Sequence, residues 1–326
     1  MIYEVKVLVS SFIIAIILGL IILPILKKLK VGQIERDDGP QSHLKKQGTP
    51  TMGGIIMIVT MIIAVTGLYF ILISQNQNDQ ANKLLPMLII TIGFGLIGFI
   101  DDFKKLVLKN TKGLKPAYKM IGLLVISVTY VLYLIYGLNL GTETYIPIIK
   151  TYIEIPIYLY IPFAIIVILG ATNAINLTDG IDGLSSSICA IIITTLAIIG
   201  MNLKIAEVSI FASVAIGAVL GFLIFNLHPA KVFMGDTGSL MLGGIISGLA
   251  LYLKMPLILL VIALIPVIET ISVMIQVLYF KKTGNRFFKM APLHHHFELS
   301  GWKENKIVVI FSMITLVLCI IGLKII

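Results

Sequence analysis

Ten stretches of this 326-residue chain are almost unbroken runs of apolar residues, and the polar residues gather between them. They fall roughly at 7–26, 52–73, 84–100, 119–137, 157–174, 184–201, 206–226, 237–253, 255–280 and 306–325. An α-helix needs about 20 mainly apolar residues to cross the hydrocarbon core of a bilayer, and each run is near that length. The first could pass for a signal peptide, but its apolar core is too long. Lys27, Lys28 and Lys30 also follow it where a small-residue cleavage site would stand. It is expected to be a membrane anchor. Pro162 and Pro266 lie inside the fifth and ninth runs and are candidates for helix breaks.

Composition agrees with that pattern. Apolar residues make up 58% and charged residues 13%, and the mean hydropathy is +1.04. A soluble globule of this kind would lack the polar surface to cover itself. Soluble enzymes, nucleic-acid-binding modules and disordered chains are excluded together, although Lys and Arg number 25 against 16 Asp and Glu. Cys189 and Cys319 sit inside apolar runs and read as small buried hydrophobes, not metal or redox ligands.

The basic excess has a side. Nineteen of the 25 Lys and Arg residues fall in the loops after the odd-numbered runs. The positive-inside rule places those five loops in the cytoplasm and both termini outside. The expected fold is an all-α integral membrane protein, a single polytopic domain over 1–326 with about ten transmembrane helices.

The acids follow the same side. Asp101, Asp102, Asp179, Asp182 and Asp236 all lie at cytoplasmic helix ends, and Glu269 alone falls well inside a span. Each aspartate taken singly reads as a helix cap or a solvated loop end. Five on one face, from three loops, suggest a shallow basin where a water-soluble ligand meets a lipid-soluble one.

In the first cluster, Asp101 and Lys105 are spaced for an ordinary i,i+4 ion pair. The adjacent Asp102 adds a like charge, which calls for a cation or a shared proton. In the second, Asn173 and Asn176 lead to Asp179, Gly180, Asp182 and Gly183. Asp179 and Asp182 would share a face, and the glycines would let a ligand or another backbone approach closely. In the third, Asn226 and Phe233 lead to Asp236, which opens the eighth helix. The free N–H groups there could receive a phosphate oxygen. A carboxylate beside a phosphate implies a divalent cation, and Mg²⁺ fits. Phe233 offers a flat face for a base, or else packs at the membrane interface. Residues 93–98 satisfy a dinucleotide-binding glycine pattern, but no strand precedes them, so Gly93, Gly95 and Gly98 are read as helix-packing positions. In the last cytoplasmic loop, His294, His295 and His296 cannot all point one way on a helix. A loop could present two of them to a phosphate.

These motifs together resemble the phospho-N-acetylmuramoyl-pentapeptide transferases, the MraY family. The resemblance rests on residues 39–54, on Asp101-Asp102 with Lys105, on residues 173–184 and 234–240, and on residues 292–298. The acidic motifs alone fit the wider superfamily of polyprenyl-phosphate hexose-1-phosphate transferases. Residues 43–54 and the three histidines single out this branch.

The resemblance implies a reaction. UDP-N-acetylmuramoyl-pentapeptide (UDP-MurNAc-pentapeptide) and undecaprenyl phosphate would give lipid I and UMP, with Mg²⁺, at the cytoplasmic face of the bacterial plasma membrane. It implies Asp236 as the metal ligand, and Asp101, Asp102, Asp236, His294 and His295 as catalytic. Asp101 and Asp102 would serve the lipid phosphate. Lys46, Asp179, Asp182, Asn226 and Phe233 would form the uridine side. Thr51, Lys105, Lys119, Asn173, Asn176 and His296 would complete substrate binding. A homodimer is carried as an expectation. Two competing readings are a sister transferase using UDP-N-acetylglucosamine and a transporter for an anionic lipid-linked substrate.

Overall fold

The computed structural model describes residues 2–29, 46, 48–106, 108 and 113–326. Residues 39–45 and 47 of the family-like stretch lie outside these. Helices dominate, as expected where no water is present to satisfy backbone N–H and C=O groups. They are α1 (Ile2–Lys28), α2 (Gly54–Ser74), α3 (Asn78–Leu106), α4 (Pro116–Leu132), α5 (Ile157–Thr178), α6 (Leu184–Asn202), α7 (Ala206–Asn226) and α8 (Gly235–Tyr252). The ninth run divides into α9 (Leu259–Ile262) and α10 (Leu264–Thr283). A short helix, α11 (Leu293–Glu298), and a final α12 (Glu304–Lys324) complete the chain. Nine helices among the described residues are long and apolar enough to span a membrane. This is a multi-pass, all-α membrane protein.

The eighth run, α8, is not among those nine, for a physical reason. Every residue from Thr237 to Tyr252 is buried, so this helix meets protein on all sides and need not be as apolar as its neighbours. Its small residues let other backbones come close. A Cβ on Gly98 of α3 would run into the Asp236 carbonyl, and one on Gly243 would run into the Thr172 backbone of α5. Gly98 is therefore a packing position, and Gly217 and Gly221 play the same part where α7 lies against α1.

Two proline expectations separate. α5 runs through Pro162 without a break. The ninth run does break, at Ala263, just ahead of Pro266 in the first turn of α10. A continuous helix would have set the Pro266 ring against the Ile262 carbonyl, whereas a first-turn proline has no N–H that needs a partner. The apolar pattern did not predict the antiparallel hairpin of β1 (Glu143–Ile146) and β2 (Thr151–Glu154) between α4 and α5. It is tied to the C-terminus, where Tyr145 Oη donates to the Ile325 carbonyl at 3.2 Å.

Candidate active site

The helix ends that carry the acids converge. Asp101 and Lys105 come from the end of α3, Lys119 from the start of α4, Asn176 from the end of α5, and Asp236 from the start of α8. Lys105 Nζ lies 2.6 Å from Asp101 Oδ2 and 3.1 Å from Asp236 Oδ2. Lys119 Nζ lies 2.8 Å from Asp236 Oδ2 and 3.7 Å from Asp101 Oδ2. Two ammonium groups thus bridge two carboxylates, and the charges balance. Asn176 Nδ2 donates to Asp236 Oδ1 at 2.8 Å, and the Leu114 N–H donates to Asp101 Oδ1 at 2.6 Å.

Asp102 faces elsewhere. Its Oδ2 accepts from the Thr237 N–H at 2.9 Å and the Thr237 hydroxyl at 2.6 Å, while Oδ1 accepts from the Asp236 N–H at 3.2 Å. It caps α8. The adjacent acids escape repulsion by pointing to different partners. The same cap corrects the expectation of a phosphate on free N–H groups at this helix start, because the N–H groups of Asp236 and Thr237 already have an acceptor. Gly235 makes the arrangement possible. Its φ of +73° is left-handed, and a Cβ there would meet Asp102 Oδ2 at 2.6 Å and Thr51 Oγ1 at 3.0 Å.

A second ionic group stands beside the first. Lys46 Nζ lies 2.8 Å from Asp182 Oδ1 and 2.6 Å from Glu304 Oε2. Asp182 Oδ2 also meets His228 Nδ1 at 3.0 Å and accepts from the Ala230 N–H at 3.0 Å. Burial draws the Lys46 ammonium toward its neutral form, but the two carboxylates outweigh this and hold its pKa above the usual lysine value. Asp182, His228 and Glu304 could also hold a metal ion, with donor atoms within 4.8 Å of one another, but the Lys46 ammonium is bonded to two of the three. Sequence reasoning assigned no role to His228 or Glu304. Glu304 opens α12, far along the chain from Lys46, and no local motif marked it.

The other expected residues fall into place around these groups. The Phe233 N–H donates to the Pro50 carbonyl, and its own carbonyl accepts from the Gly53 N–H, both at 2.8 Å, which ties the half-buried Phe233 to the chain entering α2. Asn226 is buried: it accepts from Ser186 Oγ at 2.9 Å and donates to the Val232 carbonyl at 3.0 Å. Asn173 donates back to the Leu169 carbonyl at 2.7 Å, within its own helix.

Two comparisons place this geometry among known proteins. The model for glycosyl transferase family 4 matches residues 84–254, and signature 1 of the phospho-N-acetylmuramoyl-pentapeptide-transferases matches residues 46–58. The phospho-N-acetylmuramoyl-pentapeptide-transferase of Clostridium perfringens is 50% identical over 316 residues, 96% of each chain. Its namesake from Acetivibrio thermocellus is 47% identical over 321 residues, 98% of this chain and 94% of that protein. The chain belongs to this family.

Within this transferase the three histidines occupy a helix, α11, not the open loop that the sequence suggested. As expected of a helix, they point three ways. His294 is buried against Glu269, His295 Nδ1 lies 2.7 Å from Glu298 Oε2, and His296 Nδ1 accepts from the Lys289 N–H at 3.2 Å. Glu269, the acid inside a span, accepts at Oε1 from the backbone N–H of His294, at 3.2 Å.

Asp179 stands at the end of α5, between the two ionic groups. Burial, followed by the charges of Asp236, Asp102 and Asp182, pushes its carboxyl up to about 8. The unfolded chain would ionise near the ordinary value of 3.8. The folded transferase therefore holds an extra proton between those values, and stability falls as pH rises through that window. Asp179→Asn, neutral throughout, is expected to gain in melting temperature over the native protein from about pH 5 to about pH 8 and then hold a constant gap. Parallel melting curves of the two proteins check this, and a gap that is flat with pH would mean Asp179 is ionised at pH 7.

Proposed function

We propose that this chain transfers phospho-N-acetylmuramoyl-pentapeptide from its UDP derivative to undecaprenyl phosphate, forming lipid I and releasing UMP. The bridged cluster of Asp101, Asp236, Lys105 and Lys119 carries the reading. Phosphoryl transfer asks little of a protein beyond positioning and charge neutralisation. Two lysines held by carboxylates at one end of a membrane bundle are placed to pass onto incoming phosphates, and Asn176 steadies Asp236 as they do so. The basic loops on that side attract lipid phosphates and nucleotide alike, which supports an active site facing the cytoplasm.

Mg²⁺ fits the donor set. Asp236 and Asp101 bond Lys105 and Lys119, and would offer carboxylate oxygens once those lysines pass onto phosphates; carboxylates are the ligands this cation takes together with substrate phosphates. When bound, it would neutralise charge on the pyrophosphate. The lipid phosphate attacks the phosphorus attached to the sugar, and UMP leaves. Little proton removal is needed near neutral pH, because a phosphate monoester has a second pKa of about 6. Asp102 serves this centre by capping α8 and so placing Asp236. His294 and His295, on α11, would join catalysis by the family resemblance. Lys46, Asp179, Asp182, Asn226 and Phe233 form the uridine side.

Phe233→Ala is expected to raise KM for the nucleotide sugar by the equivalent of about 1–3 kcal/mol, the range for base–aromatic stacking. An unchanged KM would return Phe233 to interface packing. Donor choice tests the reaction itself: UMP released from UDP-MurNAc-pentapeptide and not from UDP-N-acetylglucosamine is expected, and the reverse preference would identify the sister transferase.

A further inference from the structure

Glu304 opens α12, and its carboxylate is buried beside the turn that joins α5 to α6. Its Oε2 accepts from Lys46 Nζ at 2.6 Å and from the Asp182 backbone N–H at 3.5 Å. Lys46 Nζ also donates to Asp182 Oδ1 at 2.8 Å. One ammonium, one residue of the turn and one residue from the far end of the chain thus form a closed triangle. An ammonium has three N–H donors, and the two carboxylates take two of them. Among the described residues no other group accepts from Lys46 Nζ. The backbone that carries Glu304 is fixed on both sides. It belongs to the first turn of α12, and just before it the Trp302 ring packs 4.7 Å from that of Phe297 on α11, with Lys306 Nζ 4.3 Å over its face.

We infer that Glu304 is a positioning residue for the nucleotide: with Asp182 it holds the Lys46 ammonium in one place, so that the third N–H can meet an acceptor on the nucleotide. The inference rests on the transferase reading, which puts Lys46 and Asp182 on the uridine side. A lysine side chain left to itself populates many rotamers, and a ligand that needs one of them binds more weakly in proportion as that rotamer is rare. Asp182 alone does not remove this freedom, because an ammonium with a single acceptor can swing about it. Glu304 supplies the second fixed point. It acts through Lys46 and touches no reacting atom, so its loss weakens donor binding and leaves the chemical step nearly as it was.

The experiment titrates the full-length protein in detergent, with Mg²⁺ present, against UMP and against UDP-MurNAc-pentapeptide in a calorimeter. Glu304→Gln keeps the shape of the side chain and removes its charge. It is expected to weaken both ligands about tenfold, as for the loss of one charge-assisted hydrogen bond. KM for the nucleotide sugar should rise alike with kcat nearly unchanged, and Glu304→Asp should recover part of the affinity. In a Lys46→Met background the Glu304→Gln change is expected to alter binding no further, because the group it acts through is gone. Melting curves and the emission of Trp302, the one tryptophan in the sequence, check that each variant is folded around α12. If Glu304→Gln does not fold, Glu304→Asp carries the test, with affinity below native expected and native affinity overturning the inference. Native or tighter binding by folded Glu304→Gln overturns it, as does a further loss on top of Lys46→Met or a fall in kcat at unchanged KM. A loss confined to UDP-MurNAc-pentapeptide would place Glu304 on the sugar or peptide and overturn it as well. A native protein that binds neither ligand would overturn it together with the uridine side of the transferase reading.

Discussion

Asp236→Ala is expected to lower turnover by about a thousandfold or more, in the range seen when a charge-organising group is removed from a phosphoryl-transfer site. Asp236 Oδ2 lies near both Lys119 and Lys105, and Oδ1 accepts from Asn176. Without this side chain, two ammonium groups would share Asp101 alone, and Asn176 would lose its acceptor. Asp236→Asn is expected to fare little better. The amide could still accept from Asn176, but its NH₂ would face the two lysines, donor against donors. Steady-state release of UMP by membrane-inserted, correctly folded protein measures the effect. Turnover retained in Asp236→Ala at any practical Mg²⁺ concentration would remove Asp236 from the centre.

The second large effect is on stability. Lys46 is 13% exposed, and its partners Asp182 and Glu304 are 2% and 8% exposed at their side chains. Lys46→Met would leave two buried carboxylates facing each other, with His228 and the backbone N–H groups of Ala230 and Asp182 still beside them. Breaking a buried pair in this way costs about 3–5 kcal/mol, because the charge left behind has lost its water and its partner. A marked fall in melting temperature is expected, with a higher KM for the nucleotide sugar. The double variant Lys46→Met with Glu304→Gln removes one of the stranded charges, so it should recover much of the loss. Melting curves of the native protein and the single and double variants close the cycle. If Lys46→Met melts like the native protein, the ion pair of Lys46 with Asp182 and Glu304 does not stabilise the fold.

The sequence made the membrane helices legible because each had to be a continuous apolar run to reside in lipid, and the glycines of residues 93–98 could be read as packing positions because no strand preceded them. That acids from separate loops would gather at one end of the helices was legible from their places at the run ends. Long-range pairing was not. Glu304 and Lys46 are 258 positions apart, and neither sits in a pattern that names the other. Asp102 looked equivalent to Asp101, since two neighbours on one helix carry no sign of which will turn toward α8. The break at Ala263 was suggested by Pro266 and the continuity of α5 at Pro162 was not, because the outcome depends on how each proline sits relative to its helix start. Glu269 stood out as an isolated acid in a span, but its partner lay in a loop whose helical form the three histidines did not reveal.

The most direct test is UMP release by the purified protein given UDP-MurNAc-pentapeptide, undecaprenyl phosphate and Mg²⁺, with each component left out in turn. Release that requires the lipid phosphate and the metal together is the expected result, with a lipid-linked sugar phosphate formed in equal amount. Release that continues without the lipid phosphate, or none with all three present, would contradict a transfer centre built on Asp101, Asp236, Lys105 and Lys119.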